Sequence, residues 1–203
     1  MDVLVGCEES GAVRDEFRAA GHNAWSCDLV PSRSSNEYHI QGDVKEAIKS
    51  RHWDLIILHP DCTKLACSGN RWYGKGTEGH SKRLEAIEWT IDLWELAKSK
   101  ARFVALENPK GVLSKPMGKP QYIHPWQYGH GETKETGLWL HNLPDLQPTN
   151  IVDGRENKVW KMAPGPNRKR DRSKTYSGIA KAFADQWGFL GTYDNQQING
   201  VGQ

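Results

Sequence analysis

Cys62 and Glu107 are the residues whose types and spacing point most directly to chemistry. Pro60-Asp61-Cys62 closes the apolar run Asp54-Leu55-Ile56-Ile57-Leu58, and Glu107-Asn108-Pro109 closes Phe103-Val104-Ala105-Leu106. A thiol at a strand end, near a helix start or a cation, can be poised as a nucleophilic thiolate. A carboxylate at the end of a neighbouring strand can bind a ring nitrogen and its amino group while the thiol attacks the ring. Taken alone, Cys62 also reads as a half-buried structural cysteine.

Both residues need a scaffold that brings two strand ends together, and the flanking pattern supplies one. Val3-Leu4-Val5 starts a first strand, and Gly6-Cys7-Glu8-Glu9-Ser10-Gly11 turns into a helix with Val13, Phe17 and Ala20 on one face. Ser10 is expected to cap that helix and Gly21 to end it. Ala24-Trp25-Ser26-Cys27-Asp28 reads as a second strand ending in an acid, and Gln41-Gly42-Asp43-Val44 offers another acid after a polar loop. Strand, glycine turn, helix, strand, acid is a nucleotide-binding order. Backbone N–H groups from Gly6 to Gly11 would hold an adenosine-type cofactor while Asp28 binds ribose hydroxyls. An ordinary strand-to-helix turn has the same pattern, because the full Gly-x-Gly-x-x-Gly fingerprint is missing.

Further along, glycines 69, 74, 76 and 79 predict a mobile loop, and residues 81–100 predict a helix with Leu84, Ile87, Ile91 and Trp94 on its buried stripe. Gly137-Leu138-Trp139-Leu140 reads as a strand, and Ser177 to Trp187 as a last helix with Ile179 and Phe183 inward. Trp89, Trp94, Trp139 and Trp187 are expected in the core. The fold class is therefore α/β, a single domain with a mostly parallel sheet whose carboxyl edge carries the site.

Composition narrows the partners. The 203 residues carry a net charge of only +2 and 37% hydrophobic residues, which fits one globular domain. The charge is uneven: residues 155–174 hold eight Lys or Arg against two acids, a segment net of +6. Within it, Arg168-Lys169-Arg170-Asp171-Arg172 can contact phosphates and Trp160 can stack on a base, although a solvated basic loop has the same composition. His59, Cys62, Cys67 and His80 match no standard zinc spacing, so no metal is expected. Four cysteines without a Cys-x-x-Cys pair, and Met1-Asp2-Val3 with no signal-peptide pattern, predict free thiols in a cytoplasm. No apolar run reaches membrane-spanning length.

Taken in order, these motifs resemble the cytosine-5 DNA methyltransferases, in particular the short phage-type relatives that lack a large target-recognition domain. The resemblance runs from Val3 to Gly188. It pairs the Gly6 to Gly11 turn, Asp28 and Asp43 with the family's cofactor motifs, Pro60-Asp61-Cys62 with its Pro-Pro-Cys loop, and Glu107-Asn108-Pro109 with its Glu-Asn-Val motif. Residues 128–136 look like its arginine motif with Lys134 and Thr136 where arginines stand. Thr175-Tyr176-Ser177-Gly178-Ile179-Ala180 resembles the last motif, which closes the cofactor pocket. Asp61 replaces the second proline.

The resemblance implies a Rossmann-like domain over residues 1–190, with residues 141–174 a small basic insertion in place of a recognition domain and residues 191–203 a polar tail. It implies S-adenosylmethionine held by Gly6, Cys7, Glu8, Ser10, Gly11, Asp28, Asp43, Pro60 and Ser177. Cys62, Glu107 and Lys134 would be catalytic, with the Cys62 thiolate attacking carbon 6 of a flipped or single-stranded cytosine. DNA would be held by Arg71, Arg168, Lys169, Arg170 and Arg172, with a partner protein or a second copy supplying target recognition. Two other readings stay open: a non-catalytic nucleic-acid-binding protein that retains the fold, and a pyrimidine-5 methyltransferase acting on RNA or a nucleotide.

Overall fold

The computed structural model describes residues 1–157, 163, 165 and 168–191. Trp160 and residues 192–203 of the expected tail lie outside them.

One sheet of seven strands, in the order β3-β2-β1-β4-β5-β7-β6, forms the centre. β1 (Asp2–Gly6), β2 (Asn23–Asp28), β3 (His39–Gln41), β4 (Trp53–Leu58) and β5 (Ala101–Pro109) run parallel. β7 (Thr136–His141) runs antiparallel to both β5 and β6 (Gln121–Ile123). The order reverses at β1 and β4, so the ends of these two strands open the crevice where such sheets bind ligands. Gly6 aligns with Leu58, and Leu58 with Leu106, which brings the three predicted strand ends level.

Side chains alternating along the central strands supply two cores. Val3, Val5, Leu55, Ile57, Phe103 and Ala105 face α1 (Ala12–Ala19) and α7 (Ser177–Trp187), packing with Val13, Phe17, Ile179, Phe183 and Trp187. Leu4, Ile56, Leu58, Val104 and Leu106 face α2 (Val44–Lys49) and α4 (His80–Lys100), packing with Ile48, Leu93 and Ala97. Three shorter helices, α3 (Asn70–Tyr73), α5 (Ser114–Met117) and α6 (Arg168–Ser173), lie in the connections. Among the described residues no helix is long and apolar enough to cross a membrane.

Three expectations are corrected. Buried Arg83, in the first turn of α4, donates to the carbonyls of Lys64 (2.6 Å) and Ala66 (3.4 Å) and to Asn70 Oδ1 (2.7 Å). Turning Arg83 inward rotates α4, so its buried stripe is Arg83, Thr90, Leu93 and Ala97, while Leu84 is 53% exposed. Trp89 is exposed for the same reason, and Lys45 Nζ stands 5.8 Å from its ring centre. Finally, the N-cap of α1 is Gly11, at φ +72°, rather than Ser10, whose hydroxyl accepts from the Ala12 N–H just inside the helix.

Candidate active site

β4 and β5 end side by side, and the groups beyond them converge. His59 follows β4, and its Nδ1 lies 3.1 Å from Glu107 Oε2, a contact between side chains only 10% and 14% exposed. Asn108 Nδ2 donates to the Pro60 carbonyl at 2.9 Å, fastening the Cys62 turn to β5. The turn is itself rigid: the Leu65 and Ala66 N–H groups donate to the Cys62 carbonyl, and Asp61 Oδ1 accepts from the Thr63 N–H (3.0 Å) and hydroxyl (2.6 Å). Asp61, the departure from Pro-Pro-Cys, thus braces by hydrogen bonds a turn that a proline would restrict by its ring.

Electrostatics join Cys62, Glu107 and Lys134. Burial pushes the Cys62 thiol up, Glu107 and Asp61 push it further, and Lys134 draws it down. Burial also works against the Glu107 charge, but the His59 hydrogen bond and Lys134 outweigh it and leave the carboxyl below its usual range. Lys134 Nζ donates to the Arg172 carbonyl at 3.2 Å. At rest the site therefore holds a protonated thiol beside an ionised carboxylate and an ammonium.

The turn after β1 carries an acid where a phosphate-binding turn would leave its helix N-terminus open. Glu8 is buried, and its carboxylate accepts from the N–H groups of Val13 (2.7 Å) and Arg14 (3.3 Å) and from Ser10 Oγ (3.2 Å). Burial raises its carboxyl despite these bonds and the charge of His59. The first N–H groups of α1 are thus occupied by Glu8 and Ser10, and the helix N-terminus is not open to a phosphate. Asp28 follows at the end of β2 with Leu29 beside it 73% exposed. One oxygen of Asp43 is committed to capping α2, accepting from the Lys45 N–H at 2.6 Å. Cys7 adopts φ +59°, and burial and Asp28 raise its thiol; the same causes push Cys27 up to about 12.

Of the other expected residues, Ser177 Oγ lies 3.4 Å from His130 Nε2, which also accepts from the Gly178 N–H at 3.0 Å. Arg71 sits in α3, its guanidinium 5.1 Å from the ring centre of Trp72, which is 65% exposed beside an open cleft of about 370 Å³. A second cleft, about 320 Å³, runs from Asp61 and Lys64 to Trp89 and is nearer the thiol. Arg168, Lys169, Arg170 and Arg172 belong to α6. No group of three or more His, Cys, Asp or Glu among the described residues is arranged to hold a metal.

Sequence reasoning missed His59 as a partner of Glu107, Asn108 as a tie, and fully buried Arg14. Arg14 donates to Ser26 Oγ (3.0 Å), Ser32 Oγ (3.3 Å), the Ser35 carbonyl (2.9 Å) and Ser34, and so fixes the loop after β2. His59 directly precedes Pro60, so the motif itself carried that signal.

No protein-family model and no curated protein matches the chain. Solved structures do. A protein described as a DNA modification methyltransferase encoded within a prophage, from E. coli, superposes with a TM-score of 0.52 at 14% identity, over 81% of this chain and 55% of its own. An Entamoeba histolytica methyltransferase, EhMeth, gives 0.49 at 10% identity, over 75% and 57%. The S. pombe Dnmt2 methyltransferase gives 0.43 at 11%, over 79% and 54%. The chain spans little more than half the length of these structures. Of these three, the prophage protein is similar enough to carry a conclusion, which concerns the fold: a mixed, mostly parallel α/β sheet matching that of a methyltransferase structure.

Proposed function

We propose that the chain is an S-adenosylmethionine-dependent methyltransferase acting on carbon 5 of cytosine in DNA. The observation that carries this reading is the convergence of Cys62 and Glu107, at the ends of two adjacent parallel strands, with Lys134 from the segment before β7, beside the turn that carries buried Glu8.

In this reading Gly6 to Gly11 and Asp28 hold the cofactor, with Leu29 offering an apolar shelf to its adenine and Pro60 and Ser177 bordering the pocket. The cofactor supplies an electrophilic methyl group. Cys62 loses its proton, helped by Lys134, and its sulfur bonds to carbon 6, which makes carbon 5 nucleophilic. Glu107 receives the exocyclic amine and the ring nitrogen. The Asn108 tie and the Asp61 brace keep thiol and carboxylate in register, so little reorganisation remains for the reaction.

A base in a duplex cannot reach this edge, so the cytosine is flipped out or single-stranded. The basic segment 141–174, including α6, replaces a recognition domain, and Arg71, Arg168, Lys169, Arg170 and Arg172 bind phosphates. A second copy or a partner protein supplies further recognition.

A non-catalytic nucleic-acid-binding role draws on one observation, the raised Cys62 thiol, which is unreactive at rest. Two measurements separate the readings. Titration with S-adenosylhomocysteine should show binding, and DNA containing 5-fluorocytosine should trap wild type but not Cys62→Ala. Absence of both would leave only the binding role. Trapping by RNA or a free nucleotide in place of DNA would change the acceptor.

A further inference from the structure

A cytosine acceptor, the premise on which a role for His59 rests, leaves one proton without a source. When sulfur adds to carbon 6, negative charge spreads towards ring nitrogen N3, and a proton must arrive there. Glu107 would contact that nitrogen, yet it rests as a carboxylate with no proton to give. The group hydrogen-bonded to it is His59, at 3.1 Å. The His59 backbone N–H donates to the Gly6 carbonyl at 2.9 Å, which anchors the residue to the end of β1. Its Nε2 is buried and has no hydrogen-bond partner among the described residues. Glu8 interacts with the charge of His59 from the turn after β1, Glu107 faces it from β5, Lys134 acts on Glu107 from the segment before β7, and Cys62 and Asp61 belong to its own turn.

We propose that His59 is the positioning and proton-supplying residue for Glu107, its Nδ1–H holding the carboxylate towards the base and its proton passing through Glu107 to N3 as the Cys62 sulfur bonds to carbon 6. The thiol proton leaves to water before attack. The sulfur lone pair forms the S–C6 bond, and the C5–C6 π pair shifts through the conjugated ring towards N3. His59 gives its Nδ1 proton to Glu107, and Glu107 hands that same proton on to N3, leaving neutral His59 with its remaining proton on Nε2. Holding Glu107 ionised in the free protein and protonating it on demand are then two states of one hydrogen bond.

The test is the rate at which Cys62 is captured by a pool of single-stranded oligonucleotides carrying 5-fluorocytosine, with S-adenosylmethionine present, across pH. Wild-type capture should rise as the thiol ionises and fall again at higher pH, as the supply of protons to N3 through Glu107 ends. His59→Gln and His59→Asn should bind S-adenosylhomocysteine within about twofold of wild type, which reports an intact fold. Their capture should be at least about tenfold slower and should lack the descending limb. Variants that keep the wild-type profile would overturn the proposal, as would loss of the descending limb in Lys134→Met with its retention in the His59 variants. If wild type itself captures no cytosine, the cytosine reading fails first and takes the proposal with it.

Discussion

Lys134 Nζ donates to the backbone carbonyl of Arg172 at 3.2 Å, so the ammonium that acts on both the candidate thiol and the carboxylate is tied to the basic helix α6. The contact spans 38 residues and links the surface proposed to meet phosphate with the groups proposed to meet the base. A nucleic acid seated on α6 would act on that carbonyl and hence on where Lys134 points.

Glu8 and Glu107 should respond to pH with opposite signs. The folded value of Glu107 lies below the usual 4.5, so it contributes stability above that pH, lost as pH falls through the depressed value. Glu8 lies above 4.5, so its ionised form is the costly one, and stability falls as pH rises from 4.5 towards its raised value. Urea unfolding across this range should show Glu107→Gln losing the acid-side decline and Glu8→Gln losing the decline on the other side. Parallel behaviour of the two variants would contradict the assigned environments.

Arg14→Lys should destabilise the protein by about 3 kcal/mol, because an ammonium cannot reproduce the guanidinium fork and leaves buried acceptors unpaired. Ser32, Ser34 and Ser35 lose their anchor together. Limited proteolysis should then cut within residues 31–36 sooner than in wild type, before any general unfolding.

Gly178→Ala should cost about 1–3 kcal/mol by overpacking, since an added Cβ would overlap the Tyr128 carbonyl oxygen. The same displacement breaks the Gly178 N–H bond to His130. Thermal melting measures the loss, and Ser177→Ala, whose side chain is exposed, is the control with a small effect.

Replacing Arg168, Lys169 and Arg170 together by Ala should weaken DNA binding across all sequences and reduce the log–log salt slope by about three. Fluorescence anisotropy at graded salt measures it. An unchanged slope would show α6 to be a solvated basic segment without phosphate contacts.

The sheet and the meeting of Cys62 with Glu107 were legible in the sequence because two apolar runs, 54–58 and 103–106, are each followed within three residues by a proline, and parallel pairing makes such ends neighbours. Groups that act over distance were hidden. Arg14 and Arg83 have the composition of surface residues, and only the completed fold shows that each is buried by the loop it pins. Burying Arg83 also misled the periodicity of α4, since an apolar stripe drawn through Leu84 assumes that arginine faces water. β3, three residues long, offers too few positions for alternation to register.

The last described long helix lies against the first, α7 packing Phe183 and Trp187 with Val13 and Phe17. During synthesis, α1 and its half of the sheet leave the ribosome some 160 residues before the surface that covers them. A nascent chain stalled ahead of Ser177 would present Val13 and Phe17 to chaperones and to other unfinished chains, which makes the completion of α7 the event that commits this face to its native form.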